Sequence, residues 1–190
     1  MTHFDHFDFL APIYDRLIKP SDPARLRLLA SLPVDGNLLD VGGGTGRMTY
    51  LLKDWVKEVV IVDSSIGMLT QAKKKSSFIT VWSNAEQLPF RDESFERVIM
   101  VDALHHVFDY RSTIDELWRV VKPLGRIVIE EPDIRRIPVK IMALGEKLAL
   151  MRSHFVSPLV VKDAFHFSNA GVRIERDGAT SWIVVDKRIG

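Results

Sequence analysis

The stretch LLDVGGGTGRMTYLL, from Leu38 to Leu52, places four glycines in five positions between two apolar runs. Glycine loses more backbone freedom on folding than any other residue and adds no side chain to a core, so such a cluster weakens any helix or strand. It is therefore typical of a tight turn where another group packs directly against the backbone. The apolar run before it predicts a buried strand, and the run after it predicts a helix.

Apolar runs and amphipathic segments alternate along most of the remaining chain. We predict strands at Asn37–Val41, Glu58–Asp63, Ser77–Asn84, Glu96–Asp102 and Gly125–Pro132. We predict helices at Asp22–Leu32, Gly46–Trp55, Ile66–Lys75, Thr113–Lys122 and Val160–Gly171. The capping-box pattern of Thr113 and Glu116 opens the fourth of these helices. Strands that are apolar throughout and separated by helices are typical of a parallel sheet with helices on both faces.

The end of the chain departs from this alternation. Two β-rich runs between Val172 and Arg188 flank the dipeptide Asp177-Gly178, which strongly favours a tight hairpin turn. We therefore predict an antiparallel pair in place of a further parallel crossover. The predicted fold is α/β, a Rossmann-like, doubly wound and mostly parallel seven-stranded sheet with a C-terminal antiparallel hairpin.

Composition limits the function classes. The chain has 190 residues, 46% of them hydrophobic and 27% charged, which predicts one globular domain. Its net charge of +1 gives no general attraction to nucleic acid or to an anionic membrane. No apolar run approaches the roughly 20 residues of a membrane span, and the N-terminal residues lack the blocks of a signal peptide. The absence of cysteine excludes disulfides, thiolate metal sites and cysteine nucleophiles, and we expect a cytoplasmic protein.

The glycines follow the first predicted strand, where open α/β sheets bind ligands outside the carboxyl ends of their strands. A glycine-rich turn there exposes bare backbone and the amide donors of a helix start. The dinucleotide pattern GxGxxG fails, because its last glycine, counted from Gly42, falls on Arg47. The pattern that fits is D-x-G-x-G-x-G, formed by Asp40, Gly42, Gly44 and Gly46. A tight strand-to-helix turn without a ligand is the alternative.

Asp63 is the next candidate for ligand binding. It ends the second predicted strand, where a carboxylate can accept hydrogen bonds from both hydroxyls of a ribose. The alternative is an N-cap role for the helix that starts near Ile66. The glycine cluster upstream favours the ribose role.

Taken together, these motifs resemble the class I S-adenosylmethionine-dependent methyltransferases, and most closely their branch of ubiquinone/menaquinone C-methyltransferase-like small-molecule enzymes. The matching segments are FDFLAPIYD, LLDVGGGTG, VVIVDSSIGML, NAEQLPFRDESFERV, ALHHV and LWRVVKPLGRIVI, in this order along the chain. The resemblance implies S-adenosyl-L-methionine as cofactor. It also implies transfer of the methyl group to a small organic acceptor by in-line displacement.

The resemblance further implies cofactor-binding roles for matching positions. These are Tyr14, Asp40, Gly42, Gly44, Gly46, Asp63, Ser64, Met68, Asn84, Ala85 and Val101. The glycines of the loop would approach the methionine and ribose portion, while Asp40 would brace the loop or meet the amino group. Asp63 would hold the ribose, and Tyr14 would close over the cofactor.

The remaining positions would surround the adenosine and the methyl donor. Ser64 and Met68 would line the adenosine pocket, and Val101 would border the methionine moiety. Asn84, with the Ala85 amide, would recognise the adenine edge. The family often has aspartate at this position, but the asparagine oxygen also accepts a hydrogen bond from an adenine amino group.

His105 and His106 are the candidate catalytic residues, because they follow the fourth predicted strand beside the expected point of methyl transfer. A phenol, enol or amine acceptor is helped by a base. Neighbouring residues diverge by about 100° on a helix, so at most one ring should face the site. The alternative is a helix-start pair satisfied by backbone. We expect no metal site, since no other ligand stands at helical or hairpin spacing from the pair.

Two segments should cover the methyl-transfer point. We treat residues 1–190 as a single methyltransferase domain, with residues 1–20 as an N-terminal lid segment and residues 135–157 as a lid insertion after the fifth strand. We expect a largely apolar acceptor pocket between the N-terminal segment and residues 137–155. The walls would come from Phe4, Phe7, Phe9 and Tyr14 on one side and from Met142, Leu144, Leu148 and Met151 on the other. The alternative is that the apolar, methionine-containing stripe of the insertion packs on the sheet.

Two functions remain open at this point. Methyl transfer to a small organic acceptor is favoured, because the chain lacks the Asn/Asp-Pro-Pro-aromatic tetrapeptide of amino-methylating nucleic-acid enzymes and the cysteine needed for RNA C5-methylation. The alternative is an S-adenosylmethionine-binding protein without methyl transfer, acting as a regulatory or partner subunit. The sequence specifies no oligomeric state.

Overall fold

Seven strands form one mixed sheet in the computed structural model, which describes residues 6–17, 22–133 and 154–190. They are β1 (Asn37–Val41), β2 (Glu58–Asp63), β3 (Ile79–Trp82), β4 (Phe95–Val101), β5 (Val121–Pro132), β6 (Ala170–Asp177) and β7 (Thr180–Lys187). Their order across the sheet is β3-β2-β1-β4-β5-β7-β6. The first five strands pair in parallel, whereas β7 runs antiparallel to both β5 and β6. The predicted Rossmann-like sheet with its terminal hairpin is confirmed.

The helices of the described ranges are α1 (His6–Leu10), α2 (Tyr14–Leu17), α3 (Pro23–Leu29), α4 (Ile66–Lys75), α5 (Tyr110–Val120) and α6 (Pro158–Ala164). None of them has the length and apolarity to cross a membrane. Most of the predicted lid insertion falls outside the described residues, as do Phe4 and the side chain of Phe9. The same holds for the proposed pocket residues Met142, Leu144, Leu148 and Met151.

Successive residues of β1 point to opposite faces of the sheet, and each begins a separate core. Leu38 belongs to the buried cluster that contains Leu26 of α3 and Leu69 of α4. Leu39 belongs to the cluster on the other face, which contains Leu117 of α5. Helices therefore cover both faces, as the continuous apolar strands predicted.

The segment after the glycine loop does not form the predicted helix. Two 3₁₀ turns stand there instead, at Thr49–Leu51 and Lys53–Trp55. The amide of Leu52 donates to the carbonyl of Thr49, three residues earlier. The Thr49 hydroxyl also donates to the buried carboxylate of Asp40, and threonine, tyrosine and tryptophan have modest helix propensity. Side-chain anchoring therefore outweighs a weak helical preference.

The predicted capping box of the fourth helix is also wrong. α5 begins at Tyr110, because the side chain of Asp109 caps its first turn. Thr113 lies inside the helix and donates its hydroxyl to the Asp109 carbonyl, while Glu116 accepts a bond from the Leu88 amide. Aspartate is at least as good an N-cap as threonine, so the earlier residue starts the helix.

The C-terminal elements follow the prediction with shifted ends. Asp177 pairs with Thr180, so Gly178 and Ala179 form a two-residue hairpin loop in which Gly178 has a φ of +56°. The last helix is shorter than predicted. It starts at Pro158, capped by the Ser157 side chain, and ends before β6 begins.

Candidate functional site

A cleft of about 930 Å³, open mouth included, lies at the carboxyl ends of β1, β2 and β4. The chain runs outward from β1 to β2 and β3 and then returns to β4 on the other side of β1, so this is the topological switch point of the sheet. Of the predicted cofactor-binding residues, Gly46 alone does not line the cleft. Those that do are Tyr14, Asp40, Gly42, Gly44, Asp63, Ser64, Met68, Asn84, Ala85 and Val101.

The glycine loop presents bare backbone to this cleft. Gly42 and Gly44 have φ values of +68° and +54°. Residues other than glycine rarely adopt this left-handed backbone conformation. A Cβ on Gly42 would lie only 2.5 Å from the Cβ of Ala103. Gly46 lies behind the loop, where a Cβ would come within 2.9 Å of the Ile61 side chain. Its missing side chain therefore serves packing of the loop against β2.

Asp63 fixes this loop to the start of α4. Its Oδ2 accepts a hydrogen bond from the Gly44 amide and its Oδ1 accepts one from the Ser65 amide, both at 2.8 Å. The N-cap of α4 is Ser65, whose side chain accepts a bond from the Met68 amide. The alternative role of Asp63 as the N-cap is therefore wrong. Its half-buried carboxylate instead faces the cleft between two backbone segments.

Asp40 lies deep in the cleft and is only 2% exposed. The Thr49 hydroxyl donates to its Oδ2, whereas its Oδ1 has no hydrogen-bond partner among the described residues. A Cβ on Gly43 would lie 2.6 Å from the carboxyl carbon, so this glycine makes room for the acid. Burial raises the pKa of Asp40 to about 7, although the bond from Thr49 opposes the shift.

Arg47, Asp102 and Tyr14 meet at the end of the cleft beside β1 and β4. The Nη2 of Arg47 donates to the Oδ2 of Asp102 over 2.9 Å. The guanidinium lies over the ring of Tyr14, with 5.9 Å between its carbon and the ring centroid. Burial raises the pKa of both Tyr14 and Asp102, and the charge of Arg47 opposes the shift in each case. Asp102 also has a φ of +51°, which is uncommon outside glycine.

An aspartate of α1 holds that helix on α4. The Oδ1 of Asp8 accepts bonds from the Ser65 hydroxyl at 2.6 Å and from the Gly67 amide at 2.7 Å. A negative charge at a helix N-terminus is favourable because it meets unpaired amides there. A Cβ on Gly67 would lie 3.0 Å from the Cα of Asp8, so α1 rests directly on the α4 backbone.

A second aspartate holds α2 on the glycine loop. The Oδ1 of Asp15 accepts a bond from the Thr45 hydroxyl at 2.5 Å, and the carboxylate forms an ion pair with Lys75 of α4. Lys75 also donates to the Thr45 carbonyl at 2.8 Å. The two aspartates together bring Phe7 and Tyr14 into the lining of the cleft.

His105 is buried and held by an acidic partner. Its Nδ1 lies 2.6 Å from the Oε2 of Glu131, which ends the apolar part of β5. The other oxygen of Glu131 accepts bonds from the amides of Ala103 and Leu104. The ring of His105 stacks on Phe155 with 4.4 Å between centroids. A carboxylate rather than the backbone thus satisfies this histidine.

His106 lines the cleft, whereas His105 does not. The Phe7 ring meets its ring edge-on at 5.0 Å. Burial, followed by the charge of His105, lowers the pKa of His106 to about 3. The ring is therefore neutral near pH 7. One ring of the pair faces the cleft, in agreement with the divergence of neighbouring side chains.

The far end of the cleft lies beside β2 and β3. The predicted adenosine-binding residues that line it are Ser64, Met68, Asn84 and Ala85. Glu86 also lines the cleft, and its Oε1 accepts a bond from the Phe108 amide at 2.7 Å. The loop after β3 is thereby tied to the turn after β4.

Acidic side chains outnumber basic ones in the described lining. Arg47 is its only lysine or arginine. The carboxylates are those of Asp40, Asp63, Glu86 and Asp102. A cleft of this composition favours a ligand with net positive charge and disfavours the phosphates of a dinucleotide.

Comparison with known proteins decides the family. Residues 39–129 match a family model described as a methyltransferase domain. Over 196 aligned positions the chain is 32% identical to the demethylmenaquinone methyltransferase of Clavibacter sepedonicus, a match that covers 93% of this chain and 78% of that protein. The chain is a class I S-adenosylmethionine-dependent methyltransferase. Its cofactor is S-adenosyl-L-methionine, and methyl transfer is favoured over a binding role alone.

Two further matches define the extent of the likeness. A ubiquinone/menaquinone biosynthesis C-methyltransferase from Rickettsia prowazekii is 32% identical over 111 positions, which cover 52% of this methyltransferase but only 45% of that protein. A chain of the complex between the Haloferax volcanii Trm112 methyltransferase activator and a methyltransferase superposes with a TM-score of 0.82. That match covers 99% of this chain and all of the other at 17% identity, so it establishes the fold alone.

The residues of the cleft fit this cofactor. S-adenosylmethionine has a positive sulfonium, a positive ammonium and one carboxylate, so it is a net cation. The excess of carboxylates in the lining matches that charge. The buried Oδ1 of Asp40 is an unpartnered acceptor among the described residues. The nearest atoms to a Cβ on Gly44 would lie 3.8 Å away on Met68 and 3.9 Å away on Asp63, so the backbone of this glycine leaves room for a ligand in the cleft.

Sequence reasoning did not identify several polar residues of the site. Arg47 directly follows the glycine motif, and Asp102 and Glu131 stand at the ends of strands β4 and β5. The signal that could have found the two acids is their position, because Asp63 ends β2 in the same way. Glu86 carried no comparable signal.

We expect Gly67→Ala to weaken the binding of S-adenosylhomocysteine without destabilising the fold, because α1, which contributes Phe7 to the cleft, rests on Gly67. Alanine favours a helix over glycine by about 1 kcal/mol, so α4 gains stability. The new Cβ nevertheless displaces Asp8 and should cost about 1 kcal/mol of S-adenosylhomocysteine affinity, the net worth of a hydrogen bond. Calorimetry and urea denaturation measure the two effects. Thr70→Ala, on the exposed face of α4, is the control, and an unchanged affinity in Gly67→Ala would contradict the docking of α1.

Proposed function

We propose that this methyltransferase acts on a small, apolar organic acceptor bound at the mouth of the cleft. One observation carries the proposal, namely an apolar and aromatic rim beside the turn after β4. The rim consists of Phe7, His106, Val107 and Phe108. Phe108 is 78% exposed although its side chain is large and apolar. Exposed apolar surface at the edge of a cleft is typical of a binding site.

The relatives support the same acceptor class. One is named a demethylmenaquinone methyltransferase and another a ubiquinone/menaquinone biosynthesis C-methyltransferase. Quinols of this type are aromatic and apolar, and they would match the apolar and aromatic residues of the rim. A reduced demethylated naphthoquinone is therefore the first acceptor that we propose.

We also propose that Asp63 holds the ribose of the cofactor. The amides of Gly44 and Ser65 fix both of its oxygens, so the carboxylate is oriented before a ligand arrives. Each carboxylate oxygen accepts more than one hydrogen bond, so the two ribose hydroxyls remain compatible with these contacts.

The positions of the other predicted cofactor-binding residues suggest which part of the cofactor each of them would contact. We propose that the backbone of Gly42 and Gly44 contacts the methionine and ribose portion, and that Asp40 meets the ammonium through its Oδ1. Gly46 would act indirectly, through packing of the loop on Ile61. The adenosine end would be held by Ser64, Met68, Asn84 and Ala85. Val101 would border the methionine moiety, and Tyr14 would cover it.

When bound, S-adenosylmethionine supplies a methyl group on a positively charged sulfur, which is already a strong electrophile. The protein therefore has to orient the two reactants and exclude water. Fixed loops such as the one between Asp40 and Gly46 suit this task, because positioning alone can supply about 7–11 kcal/mol. The helices α1 and α2, which cover the cleft, would exclude water from it.

The two histidines differ in both position and acidity: His106 lines the cleft, whereas His105 lies behind the lining and is held by an acid. Its carboxylate partner Glu131 orients the ring and stabilises a protonated imidazole, whereas burial holds the pKa of His106 near 3. A group of that pKa accepts a proton weakly at neutral pH. We propose that His105 or His106 removes a proton from the acceptor only where the acceptor needs it, with positioning alone as the alternative.

The acceptor is tested with S-adenosylmethionine labelled in its methyl group and a reduced, short-chain demethylmenaquinone. We expect label in the organic phase, at a rate above that without protein. A parallel assay replaces the demethylmenaquinone with a metabolite extract. Label that enters only water-soluble products of this extract would contradict an apolar acceptor. Cofactor binding without any labelled product would instead favour the role of a binding subunit.

Asp63→Ala should weaken the binding of S-adenosylhomocysteine by about 1.5–3 kcal/mol, the usual worth of hydrogen bonds to a charged group. Titration calorimetry measures the loss. Because Asp63 also orders the loop, circular dichroism and Asp54→Ala, which removes an exposed carboxylate elsewhere, serve as controls. Equal affinities of variant and parent would remove Asp63 from the ribose site.

If His105 is the base, His105→Ala should lose roughly 10²–10⁴-fold in turnover while S-adenosylhomocysteine affinity stays nearly constant. Glu131→Gln should lower turnover and alter its pH profile, since the partner of the ring is no longer charged. His166→Ala removes an exposed histidine outside the cleft and should have no effect. Parent-like rates for both His105→Ala and His106→Ala across pH would leave positioning as the mechanism.

A further inference from the structure

Glu86 lies where the two ends of the cleft meet. It belongs to the loop after β3 and directly follows Asn84 and Ala85, which line the far end. Its half-buried side chain also lines the cleft, and it reaches the turn after β4, which carries the apolar rim. The residue therefore connects the wall of the predicted adenosine end with the wall of the proposed acceptor site.

The carboxylate of Glu86 fixes the backbone of that turn. Its Oε1 accepts hydrogen bonds from the amides of Phe108 and Asp109, at 2.7 Å and 3.2 Å. These two residues stand directly before α5, which begins at Tyr110. A negative charge beside the start of a helix is favourable, which adds to these contacts. Glu86 thus holds the segment from which the Phe108 side chain extends.

The loop that carries Glu86 is itself bonded to α5. The Leu88 amide donates to the Oε2 of Glu116 at 2.6 Å. Arg119 of the same helix donates to the carbonyls of Leu88 and Phe90, at 3.0 Å and 2.8 Å. Loop and helix therefore form one hydrogen-bonded unit, and the place from which Glu86 reaches the turn is defined.

Phe108 is the part of this unit that reaches the mouth of the cleft. Its side chain is 78% exposed, and among the large exposed hydrophobic residues of the described ranges it alone lines the cleft. An exposed aromatic ring gains free energy when a ligand covers it and removes water from its surface. A backbone that is fixed in advance adds to this gain, because less freedom is lost when the ligand binds.

We infer that Glu86 is a positioning residue for the acceptor, because it holds Phe108 where the ring packs against the bound acceptor. This inference rests on the proposal that an apolar acceptor binds at this rim. Phe108 makes the contact, and Glu86 acts through it. Both hydrogen bonds end on one oxygen of Glu86, so the role requires an acceptor atom at this place rather than a negative charge.

The test measures the binding of an oxidised, short-chain demethylmenaquinone by titration calorimetry at saturating S-adenosylhomocysteine, so that no methyl group is transferred. Phe108→Ala should weaken binding of this probe by roughly 10-fold or more, the lower end of what burial of a phenylalanine side chain contributes. Glu86→Ala should weaken it by roughly 3- to 10-fold, which corresponds to the net worth of a hydrogen bond. In the double variant the two losses should not add, because Glu86 acts through Phe108.

Two further variants separate positioning from charge and from general effects on α5. Glu86→Gln removes the charge but keeps the oxygen that accepts both bonds, so it should restore the affinity that Glu86→Ala loses. Asp115→Ala removes an exposed carboxylate of α5 that does not line the cleft, and it should bind the probe like the parent. If circular dichroism shows that Glu86→Ala does not fold, parent-like affinity in Phe108→Ala or a tenfold loss in Glu86→Gln overturns the inference.

The outcomes distinguish this inference from the proposed function. If the parent does not bind the naphthoquinone, the apolar acceptor fails and the inference fails with it. If the parent binds the probe and Phe108→Ala retains the affinity, the acceptor class stands and the contact with Phe108 is overturned. Losses that add in the double variant, or an equal loss in Glu86→Gln and Glu86→Ala, overturn the positioning role of Glu86.

Discussion

One carboxylate shared between two backbone segments holds the cleft in shape. Asp63 ends β2 and accepts hydrogen bonds from the amides of Gly44 and Ser65, which fixes the glycine loop relative to the start of α4. The loop has few side chains of its own with which to anchor itself, so it depends on this contact and on the bonds that the Gly42 and Gly43 amides donate to the Val62 carbonyl. Ser65 in turn donates to Asp8, and the same tie therefore sets where α1 lies.

The cover of the cleft is built from polar contacts rather than from a core. The helices α1 and α2 have five and four residues, and helices this short are not stable alone in water. Their positions depend on Asp8 and Asp15, which bind the start of α4 and the glycine loop. Such bonds exchange for bonds to water at a small net cost. A cover held in this way suits a site that must admit and release a cofactor.

Patterns local in sequence predicted the sheet, its hairpin and most of the cleft lining. Apolar runs, the glycine motif and acids at strand ends each determine the structure of the segment in which they occur, so they can be recognised without knowledge of distant contacts. Contacts between distant residues could not be found in this way. The pairing of His105 with Glu131 joins the turn after β4 to β5, and Arg47 meets Asp102 across the cleft. The helix expected after the glycines is replaced by 3₁₀ turns for a similar reason, since Thr49 is held by Asp40 from the preceding strand.

In the proposed cofactor site, the charge of the cleft would act differently on the two forms of the cofactor. S-adenosylmethionine is a net cation, whereas its demethylated product has lost the charge on sulfur. The carboxylates of Asp63, Glu86 and Asp102, joined in part by Asp40 with its pKa of about 7, are opposed in the described lining by Arg47 alone and would attract the methyl donor more strongly than the product. Attraction to a sulfonium would also oppose the reaction, because the positive charge on sulfur decreases as the transition state forms. Such a site would bind the donor selectively and release the product more easily. The rate of methyl transfer that this attraction costs would then have to come from alignment of the acceptor with the methyl group. The hydrogen bonds that fix Asp63 to the glycine loop and to the start of α4 suit such alignment.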